Sequence, residues 1–196
     1  MKIERKGPWQ VVAGRTVYDN PWLEVTHYEV VTPAGSTGIY GKIHYKHLAV
    51  GIVPIDAERH TYLVGQYRFP LEAYSWEIPE GGGTPGIDPV ESAARELKEE
   101  TGLVAAQWQK VAEADLSNST SDERAIAFVA WQLTAGTAMP EPTEDITVRR
   151  VPLEEAFQMV AAGEIRDSLS VIALQAVQLA VLRARLGSNP PAWLVK

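Results

Sequence analysis

The chain has 196 residues, 45% of them hydrophobic and 22% charged, with a formal net charge of −7. That length suffices for one substantial core with a small appended element, and the acidic balance argues against nonspecific binding to nucleic acid or an anionic membrane surface. With no cysteine in the chain, disulfides, thiolate metal sites and cysteine nucleophiles are excluded together.

The first third reads as strands. Residues 9–18, 23–32 and 38–47 carry β-branched and aromatic side chains in rough alternation, and turn residues (Asp19, Asn20, Pro21; Pro33, Ala34, Gly35) separate them. Residues 47–55 are apolar enough for a buried strand. Residues 61–69 follow after a polar turn, so the two are expected to pair as a hairpin. Residues 74–79 form a short strand that enters a glycine loop at Gly81, Gly82 and Gly83.

A helix with a defined start comes next. Asp88 suits the N-cap, Pro89 the first helical position and Glu91 an approximate capping box, while Gly102 fits the C-terminal end. Residues 108–115 and 125–133 are further strands, joined by the polar loop 116–123. A second loop, 134–145, is rich in glycine, proline and acids, and residues 146–151 are a strand. Residues 152–162 begin a helix, and 167–186 form a long one with Leu169, Ile172, Ala176, Leu179 and Leu182 at helical spacing. The order of strands, helix, strands and helices points to α/β layers with a mixed sheet. The expected divisions are 1–46, an N-terminal strand subelement; 47–186, the main domain; and 187–196, an irregular tail. Residues 1–10 lack the apolar core of a signal peptide. The longest apolar run, 171–182, is broken by Gln175 and Gln178, so a cytoplasmic protein without a membrane partner is expected.

The chemistry concentrates in the first helix. Glu96 and Glu100 stand one turn apart with Glu99 beside them, and like charges at that spacing repel. A hard divalent cation relieves that repulsion, and Mg²⁺ takes one or two carboxylates while bridging to substrate phosphates. The Glu80 carbonyl, at the glycine cluster, adds a neutral oxygen donor. Arg95 is placed to pair with Glu99. The competing reading of an isolated R-E-x-x-E-E is a solvated helix face. His27, His44, His47 and His60 show no ligand spacing, and Ser92 and Ser170 lack a His/Asp constellation.

Residues 81–103 resemble the Nudix box, G-x5-E-x7-R-E-U-x-E-E-x-G-U with U aliphatic. Gly81, Arg95, Glu96, Leu97, Glu99, Glu100, Gly102 and Leu103 match, and Ile87 stands where that family has its first glutamate. Gln66, Tyr67 and Arg68, then the run Trp76 to Gly81, and later Glu144, Asp145 and Ile146 with Ser170 to Leu174, resemble the ADP-ribose and nucleoside-diphosphate-sugar pyrophosphatase branch.

The resemblance implies a Nudix α/β/α sandwich and a homodimer with exchanged N-terminal antiparallel strands. It implies Mg²⁺-dependent cleavage (Mn²⁺ as a possible substitute) of a nucleotide sugar to a nucleoside monophosphate and a sugar phosphate. The metal ligands then fall on Glu96, Glu99, Glu100 and the Glu80 carbonyl. Arg68 falls where the family contacts substrate phosphate or the distal sugar, with a surface arginine as the alternative. Glu77 is a substrate partner or a solvated edge-strand residue. The general base comes from the acidic loop, where Glu144 and Glu141 are candidates and Asp145 a weaker one. Otherwise Glu99 or Glu123 activates the water. Trp22 and Tyr28 stack on the nucleobase from a partner subunit or pack in the dimer core. Asn118 replaces the proline that many ADP-ribose pyrophosphatases carry past the box, which leaves room for other nucleotide sugars. The rivals are a Nudix hydrolase of another diphosphate, such as a dinucleotide, and a noncatalytic nucleotide-sugar-binding module.

Overall fold

A computed structural model describes residues 4–139 and 145–195. The chain divides into two units, the first built from Met1–Leu48 with Asp115–Arg124 and the second from Ala49–Ala114 with Ala125–Lys196.

In the first unit, β1 (Glu4–Lys6), β2 (Trp9–Asp19), β3 (Leu23–Val31) and β4 (Thr37–Tyr45) form an antiparallel sheet in chain order. Asn20 makes the β2–β3 turn by accepting the amides of Trp22 and Leu23 on its side chain, both at 2.8 Å. The 115–124 segment joins β4 through Ile43 N to Thr120 O at 2.9 Å and Asp122 N to Ile43 O at 3.2 Å. Asp122 locks that junction, accepting from Lys42 at 2.6 Å, His44 at 2.9 Å and the Tyr45 amide at 3.1 Å. Burial works upward on the Asp122 carboxyl, but the bonds from Lys42, His44 and the Tyr45 amide, with the Lys42 charge, outweigh it and lower its pKa to about 2.

The second unit holds β5 (Leu48–Ile55), β6 (His60–Arg68), β7 (Ala73–Glu77), β8 (Glu80–Gly83), α1 (Pro89–Thr101), β9 (Leu103–Leu116), β10 (Glu123–Ala135), β11 (Thr147–Pro152), α2 (Leu153–Ala161) and α3 (Ser168–Arg185), some of whose terminal residues count with the first. One sheet runs β8-β5-β10-β9 and contains the parallel pair β5–β10; a second, antiparallel sheet runs β11-β6-β7. The α/β class and the antiparallel N-terminal strands follow the sequence expectation.

Two local expectations fail. The strands at 47–55 and 61–69 do not pair as a hairpin but belong to different sheets. β5 is apolar along its whole length and buried from Val50 onward, so it takes an interior place, and β8 and β10 occupy both of its hydrogen-bonding edges. The glycine cluster is likewise not a loop: Glu80–Gly83 is strand β8, next to β5.

α1 starts as its residues dictate. Asp88 accepts the Val90 amide at 2.9 Å, Pro89 follows, and Gly102 ends the helix at φ 72°, with its amide on Lys98 O at 2.9 Å. Ala93, Leu97 and Glu100 share its buried face. α3 is capped by Asp167, which accepts the Ser170 amide at 2.7 Å. At 18 residues and mean hydropathy 1.2, α3 is long and apolar enough to cross a membrane by length and composition only, as core helices also are. Its Leu169, Ala173, Leu174, Val177 and Val181 face the core of the second unit.

Candidate active site

The second unit brings β8 and the acidic face of α1 together. Glu100 is 2% exposed and accepts the Glu80 amide on Oε2 at 3.0 Å, so the helix grips the strand at the residue before Gly81. Arg95 ties the same two elements. It donates to Glu96 Oε1 at 2.6 Å, to Glu99 Oε2 at 2.7 Å and to the Gly82 carbonyl at 2.9 Å. One guanidinium thus orients two carboxylates and the strand backbone, which a solvated helix face does not do.

Gly81 has no side chain for a reason visible here. A Cβ at that position lies 2.6 Å from Glu96 Oε2 and nearer still to the rest of its carboxyl group. The Glu96 carboxylate therefore lies flat against bare backbone. Glu96, Glu99 and Glu100, with the Glu80 carbonyl, are hard oxygen donors of the kind that suit Mg²⁺ or Mn²⁺.

A second acidic group shares Glu80, the first residue of β8, through its side chain. Glu77, Glu80 and Asp167 offer carboxylate oxygens within 4.8 Å of one another. Arg68 offsets them, with Nε 3.0 Å from Glu77 Oε1 and 3.1 Å from Oε2, and a further bond from its terminal nitrogen. That nitrogen also stands 3.4 Å from Glu80 Oε1. Burial, then the charges of Asp167 and Glu77, push the Glu80 carboxyl well above its ordinary range, and Arg68 pulls it back only in part. Glu80 Oε2 is buried without a hydrogen-bond partner. Glu77 is only 2% exposed, which corrects the reading of a solvated edge-strand glutamate, and Arg68 is no loose surface arginine.

The remaining candidates lie elsewhere. Glu141 and Glu144 lie outside the described residues, and Asp145 is exposed. The segment leading toward them is fastened to α1 by Met139 N on Glu99 O at 2.9 Å. Beside it a cavity of about 460 Å³ is lined by Arg95, Lys98, Glu99, Val104, Thr137 and Met139, within the size range of small-molecule sites. Ile87 is half exposed on the turn closed by its amide on Thr84 O at 3.1 Å.

Trp22, Tyr28 and Glu123 belong to the first unit. Trp22 is 67% exposed. Tyr28 accepts from Lys6 at 3.1 Å and lies against Gly14. Glu123, after burial, helps raise the Tyr45 phenol. Asn118 sits in the turn closed by Thr120 N on Ser117 O at 2.9 Å.

Sequence reasoning missed two residues that bond the backbone flanking β8. The Ser92 hydroxyl accepts the Thr84 amide at 3.2 Å, and the Ser170 hydroxyl accepts the Ile78 amide at 2.9 Å. Both serines are buried inside helices; the sequence signal was a polar residue within each helical pattern, and their burial was not readable from it.

The family model described as NUDIX domain matches residues 45–171, and one described as Nucleoside diphosphate sugar hydrolase N-terminal domain matches residues 9–43. An ADP-ribose pyrophosphatase of Mycobacterium tuberculosis is 31% identical over 174 residues, covering 86% of this chain and 83% of that protein. A methanol dehydrogenase activator of Bacillus methanolicus is 34% identical over 172 residues, covering 87% and 89%. A crystal structure of an ADP compounds hydrolase superposes with a TM-score of 0.81 at 23% identity, covering 93% of this chain and 98% of the other.

Proposed function

This chain belongs to the Nudix hydrolase family, and on that premise we propose that it cleaves the diphosphate bond of ADP-ribose or a related nucleoside-diphosphate sugar. The products are a nucleoside monophosphate and a sugar phosphate, and the reaction depends on Mg²⁺, with Mn²⁺ as a substitute. The observation that carries the reading is the joint grip of Arg95 and Glu100 on β8, which gathers Glu96, Glu99 and Glu100 beside the Glu80–Gly81 backbone.

Glu96, Glu99, Glu100 and the Glu80 carbonyl would hold the cation. When bound, it neutralises diphosphate charge and acidifies a water. Arg95 keeps the Glu96 and Glu99 carboxylates aimed before substrate arrives, so little reorganisation is left for the reaction. Arg68, held edge-on by Glu77, presents its guanidinium for a substrate phosphate or the distal sugar. Glu99 is the candidate on α1 for orienting or deprotonating water; Glu141, Glu144 and Asp145 of the acidic loop, and Glu123, are the others.

The relative named for ADP-ribose supports the substrate class, and the match to a nucleoside diphosphate sugar hydrolase N-terminal domain supports the same branch. We infer a homodimer in which the first unit serves the partner, with Trp22 and Tyr28 offered to the nucleobase. The exposure of Val12, Val17, Trp22 and Ile39 on that unit supports it.

The test is product analysis. ADP-ribose with Mg²⁺ should yield AMP and ribose 5-phosphate, and Glu100→Gln should lose that turnover. Release of inorganic pyrophosphate from nucleoside triphosphates as the main activity would overturn the substrate class, and an unaffected Glu100→Gln variant the metal assignment.

A further inference from the structure

We propose that Ser170, on the first turn of α3, is a positioning residue for the metal site, acting through the backbone of residues 78–80. The inference rests on the reading of the Glu80 carbonyl as a metal ligand. Residues 78–80 leave β7, in one sheet of the second unit, and enter β8, in the other. Three elements hold that short passage, one at each residue. The Ile78 amide donates to Ser170 Oγ at 2.9 Å, the Pro79 carbonyl accepts from Ile52 N of β5 at 2.8 Å, and the Glu80 amide donates to Glu100 Oε2 at 3.0 Å.

A strand pairs its amides with another strand, but Ile78 lies where the backbone changes sheets. Its amide is buried, and a buried amide without an acceptor costs about 1–3 kcal/mol. Ser170 supplies the acceptor from a position of complete burial. The turn that carries Ser170 is itself fixed, because Asp167 caps it by accepting the Ser170 amide at 2.7 Å. Packing adds a second constraint. A Cβ at Gly51 of β5 would lie 2.9 Å from both Ile78 Cδ1 and Leu169 Cγ. The bare glycine therefore lets Ile78 and the start of α3 press together onto β5. Ser170 sits one residue after Leu169, so the contact that seats α3 also aims the hydroxyl at Ile78 N.

Without the Ser170 acceptor, the Ile78 amide is released, and the passage that leads to the Glu80 carbonyl loses one of its three anchors. The chemistry needs the oxygen of Ser170 and not only its volume.

The experiment uses the full chain and Mn²⁺ alone, followed by EPR titration without substrate. Ser170→Ala should weaken Mn²⁺ binding about 10-fold, the lower end of what loss of a partner bonded directly to a metal ligand costs, because Ser170 acts two residues away from Glu80. It should also speed hydrogen exchange at the Ile78 amide in the metal-free protein. Ser170→Thr, which keeps a hydroxyl, and Val181→Ala, a core truncation farther along α3, should both stay near wild-type affinity. If Ser170→Ala does not fold, Ser170→Cys, with a weak sulfur acceptor, should show the same two changes in smaller degree. The proposal is overturned if the folded Ala or Cys variant binds Mn²⁺ within about twofold of wild type, or if Val181→Ala loses as much. If the wild type does not bind Mn²⁺, or Glu100→Gln binds it equally well, the metal-site reading itself fails, and Ile78 exchange still reports separately on the Ser170 bond.

Discussion

Gly81→Ala tests the site with a single methyl group. The added Cβ stands 2.6 Å from Glu96 Oε2, where ordinary contact begins at 3.4 Å. The carboxylate must therefore withdraw by about 1 Å, and its bond to Arg95, 2.6 Å long, must stretch or turn with it. A misplacement of about 1 Å in a reacting constellation costs on the order of 10²-fold in rate, or about 2.7 kcal/mol of transition-state stabilisation. The clash is with the far end of a flexible side chain, so the cost falls on the site more than on stability, and a thermal melt must accompany the kinetics to check this. The assay is kcat/KM for ADP-ribose at saturating Mg²⁺ with products resolved, on Gly81→Ala, Glu96→Asp and the double variant. Shortening Glu96 by one methylene makes room for the new methyl group, so Gly81→Ala should cost much less in the Glu96→Asp background. A folded Gly81→Ala variant within about threefold of wild type would refute the argument that Glu96 must lie flat on this glycine.

Three further outcomes follow from the same structure. Glu77→Ala strips the buried partner from Arg68, which is itself about one-third exposed. It should cost near the lower end of about 3–5 kcal/mol, and a melting point lowered by less than about 6 °C in calorimetry would count against a structural role for the pair. Asp122 has a folded pKa of about 2, below its unfolded value. Its contribution is thus complete above the unfolded value and is lost as pH falls toward 2. Asp122→Asn should flatten the acid limb of the stability profile between about pH 4 and 2, and an unchanged limb would contradict the assignment. Asp88→Ala removes the cap of α1 and should lower stability by about 1 kcal/mol in urea melts. No change in the urea midpoint would show that Pro89 alone sets the start of the helix.

The part of the site that was legible in the sequence is local. Helical spacing puts Glu96 and Glu100 on one face and Arg95 within reach of Glu99, because 3.6 residues per turn need no tertiary information. The Asp88 and Gly102 caps were readable for the same reason. Arg68 and Glu77 could be named, but their pairing could not. The β6–β7 register puts them on one face but sets Glu77 opposite Val64, four residues before Arg68, so the long Arg68 side chain must reach back along the sheet to bond Glu77. Glu80 was named for its carbonyl, while the burial of its side chain beside Asp167 comes from an element 87 positions later in the chain.

The sequence by itself determined the α/β class, the capped acidic helix and the family's motif, since each depends on periodicity or on residues close together in the chain. The tertiary structure decided what those residues touch. β5 could have paired with the strand after it. Its unbroken apolar run instead drew it to the interior of a sheet, where the glycine cluster pairs with it as a strand, and β6 and β7 join β11 in a second sheet. The passage between the two sheets is where Ser170, Ile52 and Glu100 converge. No local pattern encodes that convergence, because it arises from burying the backbone of one short segment among three elements distant in sequence.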